Sequence, residues 1–232
     1  MPDSYLDEIR SLELFKRMDD DNFQSLLRGA YVQNFPAQVE LATEGEPADF
    51  LYVLITGSVE LFANWNNRET TMSVVRPVST FILAATVKDA PYLMSARTLE
   101  KSRVILLPST DVRKVFDTDS DFARAVVTEL AQCYRAVIKN SKELKLRTSI
   151  ERLAAFILRL HIRTQGNNQM ILPIEKRKLA SQLGMSAENL SRAFGALKPY
   201  GVTTKGNTII LTDKKALEGL AKPTRLIDDP AF

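Results

Sequence analysis

The run Leu179-Ala-Ser-Gln-Leu-Gly184-Met-Ser-Ala-Glu188-Asn-Leu-Ser191-Arg192-Ala-Phe-Gly-Ala-Leu197 leaves the chain few options, because its apolar positions fit two short helices joined by a tight turn. Leu179, Ala180 and Leu183 mark the first helix, Gly184 can adopt the positive φ of the turn, and Ser186 is a good N-cap. Leu190, Phe194 and Leu197 form one apolar stripe on the second helix, so Ala187, Glu188, Ser191 and Arg192 share its outward side. This is the pattern of a helix-turn-helix. Glutamate and arginine four residues apart could form an ordinary intrahelical ion pair. In a major groove, however, the arginine can donate two hydrogen bonds to guanine O6 and N7, and the glutamate can accept one from cytosine N4.

The residues on either side supply the context that a short motif needs. Tyr200-Gly201-Val-Thr-Thr-Lys205-Gly206-Asn207-Thr-Ile-Ile-Leu-Thr212 alternates around a Lys-Gly-Asn turn, as a β-hairpin does. A hairpin directly after a recognition helix is a wing, and Lys205 at its tip is placed to meet a phosphate. Upstream, Ser149-Ile-Glu-Arg-Leu-Ala-Ala-Phe-Ile-Leu-Arg-Leu160 reads as the first helix of the same domain, capped by Ser149. Residues 148–232 hold 13 Lys and Arg against 7 Asp and Glu, whereas residues 1–147 hold 18 against 21, so the basic end carries the helix-turn-helix.

Residues from about 149 to 221 resemble the DNA-binding domain of the CRP/FNR superfamily of bacterial transcription regulators. Glu188, Ser191 and Arg192 are similar to the FNR branch, whose corresponding residues read TTGAT half-sites in an inverted repeat. Ala187 stands where the cyclic AMP receptor protein branch has an arginine, which favours TTGAT over TGTGA. The resemblance implies a homodimer on an inverted-repeat operator, contacting DNA through Ser186, Glu188, Asn189, Ser191, Arg192 and Lys205, with RNA polymerase as a further partner. Thr212 to Ala221 resembles the helix that follows the wing in that branch, and residues 222–232, with Pro223 and Pro230, are expected to form a loosely ordered tail.

The N-terminal half has a different texture. A short polar helical region, Tyr5 to Leu27, is followed by apolar runs at Tyr31–Phe35, Val39–Ala42, Phe50–Thr56, Ser58–Phe62, Met72–Val75 and Val104–Leu107. Short runs broken by Glu44-Gly45-Glu46-Pro47 and Thr56-Gly57-Ser58 indicate an antiparallel barrel or sandwich. Residues 44–61 resemble the cyclic-nucleotide-binding β-roll of the same superfamily, a likeness that extends over roughly residues 12–115. The expected fold is α+β. A cyclic-nucleotide-binding-like β-roll occupies residues 1–118, a long dimerisation helix 119–147, and a winged helix-turn-helix 148–221, before the tail over 222–232.

The roll departs from its nucleotide-binding relatives where the ligand would sit. Those relatives use a Phe-Gly-Glu stretch and an Arg-Ser-Ala stretch; the matching segments are Phe81-Ile82-Leu83-Ala84-Ala85 and Leu93-Met94-Ser95-Ala96. The ribose-binding glutamate and the phosphate-binding arginine are both missing, so cyclic AMP is not the expected ligand. Arg97 falls on the opposite face if this segment is a strand. The segment Ser79 to Leu93 resembles the DNR/NnrR group, nitric-oxide-responsive regulators of denitrification linked to haem. A pocket formed by Tyr52, Phe81, Ile82, Leu83, Leu93, Met94 and Ser95 would suit a flat apolar cofactor, another small ligand, or simply a filled core.

The chain has one cysteine, Cys133, too few thiolates for the iron-sulfur cluster of FNR itself, and its one histidine, His161, lies outside the roll. Haem ligation would therefore fall to Met72, Met94, Tyr52, Tyr92, Lys88, Cys133 or the N-terminal amine, and His161 is expected at a surface or interface. Asp119 to Arg147 has no glycine or proline and reads as one long helix. Val126, Leu130, Cys133, Val137, Asn140 and Leu144 have coiled-coil spacing; Val127, Leu130, Tyr134, Val137, Ser141 and Leu144 fit nearly as well. A hinge is expected near Arg147 to Ser149. No catalytic constellation, phosphate-binding Gly-rich loop or metal-ligand spacing is present, which excludes an enzyme reading and leaves a protein-binding winged module as the alternative. No apolar run approaches the roughly 18 residues of a membrane span and no signal peptide is evident, so a cytoplasmic location is expected.

Overall fold

The computed structural model describes residues 3–229; the N-terminal amine considered as a haem ligand and Pro230 of the closing segment lie outside them. The chain divides into two compact units between Cys133 and Tyr134.

The first unit opens with α1 (Asp3–Ser11) and α2 (Asp20–Arg28), so the helical region expected from Tyr5 to Leu27 is two helices. Eight strands follow: β1 (Tyr31–Phe35), β2 (Glu40–Ala42), β3 (Phe50–Thr56), β4 (Val59–Trp65), β5 (Arg68–Val75) and β6 (Ser79–Phe81), then β7 (Ser95–Thr98) and β8 (Ser102–Pro108). They form two antiparallel sheets ordered β1-β8-β3-β6 and β2-β7-β4-β5. A short helix, α3 (Leu83–Lys88), lies between β6 and β7. Neither β6, β7 nor α3 stands out among the apolar runs, because each is only three to six residues long.

Strand alternation explains why β3 is buried on both faces. Tyr52 and Leu54 join Val59, Leu61, Ala96 and Val104 between the two sheets. Leu51, Val53 and Ile55 turn the other way, with Ile105 and Leu107, onto a helical layer that includes Phe15, Phe23 and Leu26. That layer is completed by α4 (Ser109–Thr118) and the first turns of α5 (Ser120–Leu146), through Val112, Phe122 and Val126. Burial of each such side chain contributes about 1.5–3 kcal/mol. The 27-residue α5 is preceded by Asp119, whose carboxylate accepts from the backbone N–H groups of Asp121 and Phe122.

The second unit contains the remainder of α5, then α6 (Ser149–Arg163), β9 (Gln169–Ile171), α7 (Lys176–Gln182) and α8 (Ala187–Ala196). A single 3₁₀ turn (Lys198–Tyr200) leads to β10 (Val202–Lys205), β11 (Thr208–Leu211), α9 (Lys214–Ala221) and α10 (Arg225–Asp228). The sheet order is β10-β11-β9. Its core gathers Leu153 and Ile157 of α6, Leu179 and Leu183, and Leu190, Phe194 and Leu197.

Three local expectations are corrected. The cap of α6 is Thr148, not Ser149: its backbone N–H donates to Glu151 Oε2 at 2.7 Å while the Glu151 N–H donates to its hydroxyl, a reciprocal capping box. His161 is only 7% exposed, with Nδ1 3.1 Å from the Asn167 carbonyl, which satisfies one ring nitrogen inside the unit. Residues 222–229 are ordered, because Asp228 of α10 is held by Arg147 and Arg159. Among the described residues no helix is long and apolar enough to cross a membrane, and no cluster of three or more His, Cys, Asp or Glu could hold a metal.

Candidate nucleic-acid interface and sensor groove

The helix-turn-helix is built from packing and capping together. Leu179, Ala180 and Leu183 hold α7, and Leu190, Ala193 and Phe194 hold α8, to one core. Gly184 takes the turn at φ +61°, where an added Cβ would lie 2.7 Å from Leu144. Ser186 caps α8 by accepting from the Asn189 N–H at 3.2 Å. Its hydroxyl also reaches Glu188 Oε2 at 3.5 Å, and Glu188 sits in the first turn, where the helix dipole favours negative charge.

With the apolar stripe buried, Ser186, Glu188, Asn189, Ser191 and Arg192 are all exposed on one side of α8. Among the described residues no salt bridge engages Glu188 or Arg192, so both keep their hydrogen-bonding capacity for an external partner. Lys205, also exposed, ends β10 at the wing tip, where Gly206 at φ +60° supplies the two-residue turn. Between α8 and the wing runs a cleft of about 530 Å³ lined by Lys176, Ser191, Lys198, Thr203 and Thr204. Sequence reasoning passed over Lys176, Lys198 and the two threonines. The Lys176-Arg177-Lys178 run at the start of α7 is a basic signal for Lys176 alone.

In the roll, the seven expected pocket residues separate. Ile82, Leu93 and Met94 line an apolar groove of about 330 Å³ with Ala84, Ala85 and Lys88. Tyr52 and Phe81 instead stack at 5.0 Å between the sheets, and the Tyr52 hydroxyl donates to the Leu41 carbonyl at 2.7 Å. Leu83 packs into the helical layer, and the Ser95 hydroxyl accepts from the Glu44 N–H at 2.9 Å. The groove therefore lies over α3 and not inside the roll. Ile82 enters α3 at φ +67° and Asp89 leaves it at φ +53°, a strained conformation for a β-branched residue.

The other candidate ligands are placed as clearly. Burial and the adjacent Tyr92 hydroxyl push the Tyr52 phenol far above its ordinary pKa, so it is not available as a phenolate. Of the remaining donors considered for haem iron, Lys88 and Met94 line the groove, while Met72 and Cys133 do not. Arg97 cannot stand in for the missing phosphate ligand. It bonds Glu60 at 2.8 Å and Glu69 at 2.9 Å, and its guanidinium lies 4.4 Å above the Phe62 ring.

Along α5 the two candidate seams differ in burial at their first residue. Val126 is fully buried in the first unit's helical layer and Leu130 packs beside it. Val127, Tyr134, Val137 and Leu144 are exposed, with Val137 at 64%. Cys133 is exposed on the same helix, as is Asn140.

Comparison with known proteins agrees with this architecture. Residues 32–119 match the cyclic nucleotide-binding domain family, and residues 151–220 match the Crp-like helix-turn-helix domain family. A CRP-like cAMP-activated global transcriptional regulator of Mycobacterium tuberculosis is 22% identical over 215 residues, covering 90% of this chain and 96% of that one. Among solved structures, FixK2 from Bradyrhizobium japonicum aligns with a TM-score of 0.70 at 24% identity, covering 82% of this chain and 96% of its own. DNR from Pseudomonas aeruginosa aligns at 0.52 with 23% identity, covering 95% and 99%. With a cyclic-nucleotide-binding-type β-roll, a long helix and a Crp-like helix-turn-helix in one chain, the protein belongs to the CRP/FNR family of DNA-binding transcription regulators and is not an enzyme.

Proposed function

We propose that the chain acts as a homodimer that reads a TTGAT-like inverted repeat, with Glu188, Ser191 and Arg192 on base edges and Lys205 on phosphate. The observation that supports this most directly is the shared exposed face of α8, where Glu188 and Arg192 are not spent on each other. Arg192 would donate to a guanine and Glu188 would accept from a cytosine. Ser186 and Asn189 lie at the same helix end, near enough to the groove edge to bind backbone or base. Two such helices must enter successive major grooves roughly 34 Å apart, which calls for two-fold symmetry. The exposed stripe Val127, Tyr134, Val137 and Leu144 supplies an apolar face for that contact, and RNA polymerase is the partner through which such a regulator acts.

The effector is read as a small apolar molecule in the groove over α3, with Lys88 to pair an acidic substituent. Cyclic AMP, which activates the Mycobacterium tuberculosis relative, fits poorly because no free cation faces its phosphate and Arg97 is already paired. Haem, if bound in the groove, would be held by Lys88 or Met94, and its iron would supply a site for nitric oxide.

Binding to a TTGAT inverted repeat and to base-substituted repeats, alongside an absorption spectrum before and after haem and then nitric oxide, tests both parts. Operator binding that is lost on base substitution is expected. Equal affinity for all repeats would defeat direct readout, and a missing Soret band would remove haem while leaving the operator.

A further inference from the structure

The segment after α9 was expected to be loose, yet it carries a neutral four-charge cluster that closes the junction between α5 and α6. Arg147, at the end of α5 with its side chain only 7% exposed, binds Asp228 through two hydrogen bonds of 2.6 and 2.7 Å. Arg159 of α6 donates to the same carboxylate at 2.9 Å and to Glu143 of α5 at 3.0 Å. The Lys139 ammonium adds a bond of 2.7 Å to the Asp229 carbonyl, and the Thr224 N–H donates to Asp228 at 2.8 Å. Paired, fork-shaped contacts of this kind fix orientation as well as position.

A second clamp lies across the same junction. Arg152 of α6 is buried, and its guanidinium donates chiefly to carbonyls. It donates to Arg147 and Leu144 at the end of α5, at 2.7 and 3.4 Å, and to Leu183 and Gly184 of the helix-turn-helix turn, at 2.7 and 3.3 Å. The negative ends of α5 and α7 thus converge on one cation. A Cβ at Gly184 would lie 2.7 Å from the Leu144 methyl, so α5 and the turn are in close contact there. The residues expected to form a hinge, Arg147 to Ser149, are instead tied by these bonds and by the Thr148–Glu151 capping box.

We propose that residues 222–229 are a latch, with Asp228 as its positioning residue, that welds the last two turns of α5 to the winged domain so that the dimer helix dictates the separation of the two recognition helices. Asp228 touches no DNA in this reading; it acts through Arg147 and Arg159. The spacing consequence rests on the operator reading above, whereas the latch itself does not.

The test uses the full chain with Asp228→Asn, which keeps shape and removes charge, and Asp228→Glu as the conservative rescue. Arg159→Gln, which leaves the Arg147 pair intact, serves if Asp228→Asn fails to fold. Hydrogen exchange of the amides of residues 143–152 is expected to quicken about tenfold or more in Asp228→Asn and to recover in Asp228→Glu. Discrimination between an inverted repeat and one whose spacer is lengthened by two base pairs should fall about fivefold or more, with base discrimination within each half-site unchanged. Unaltered exchange overturns the latch, and faster exchange with intact spacing discrimination overturns its role in positioning. If the wild-type chain binds no inverted repeat, the operator reading fails and exchange alone decides the latch.

Discussion

Arg192 and Gly184 show how single residues carry the DNA-reading unit by different means. Arg192 has an exposed side chain and owes nothing to the core, so Arg192→Ala should leave thermal stability unchanged. It should weaken operator binding by about 1–3 kcal/mol and relax preference at one guanine, which a panel of base-substituted operators would read. A uniform loss across the panel would reassign it to phosphate. Gly184 is the converse: its φ of +61° and the Leu144 methyl 2.7 Å from any added Cβ make Gly184→Ala a folding defect, expected at about 1–2 kcal/mol by denaturant titration. The contact face was legible in the sequence because helical period alone sorts Glu188, Ser191 and Arg192 away from Leu190, Phe194 and Leu197. The groove was half legible. Ile82, Leu93 and Met94 line it, but a list of apolar residues cannot say that Tyr52 and Phe81 stack on each other between the sheets.

At the level of elements, α5 depends on its start. The Asp119 carboxylate is buried, which alone would raise its pKa, but hydrogen bonds from Phe122, Asp19, Asn22 and Asp121 outweigh that and hold it below the usual carboxylate range. A lowered native pKa means its contribution is present above the unfolded value of about 3.9 and lost as pH falls through the native one. Asp119→Ala should cost about 2 kcal/mol at neutral pH and flatten the acid limb of a stability curve; an unchanged limb would show that other carboxylates govern it. The wing makes a second prediction. Lys205→Ala should weaken every DNA sequence alike and reduce the salt slope by about 1, whereas an unchanged slope would take Lys205 off the phosphate. Elements with a long periodic signature, α5, α6, α8 and β3, were readable. Those of three to six residues, such as β6, β7 and α3, carry too few positions for a period to show, and the order of α10 rests on pairing between Asp228 and arginines 69 and 81 residues away.

For the whole molecule the open matter is which face of α5 meets a second copy, since two heptad frames offset by one residue fit the same helix. Spacing cannot choose between Val126 and Val127, because both recur with Leu130, Val137 and Leu144. Folding of the single chain discriminates them: Val126 has no exposed surface, so it is already committed to its own helical layer. The frame Val127, Tyr134, Val137 and Leu144 remains exposed and available. Two substitutions then separate. Val126→Ala should destabilise the first unit by about 1–2 kcal/mol through lost burial, and leave sedimentation unchanged. Tyr134→Arg, at a position with 68% exposure, should alter chain stability by no more than about 0.5 kcal/mol. It should nevertheless shift sedimentation to the monomer and weaken inverted-repeat binding at least about a hundredfold, because each half-site must then be held by one winged domain. Should Tyr134→Arg sediment as wild type while Val126→Ala dissociates, the buried frame would be the seam, and the first unit would have to open its helical layer for the chain to pair.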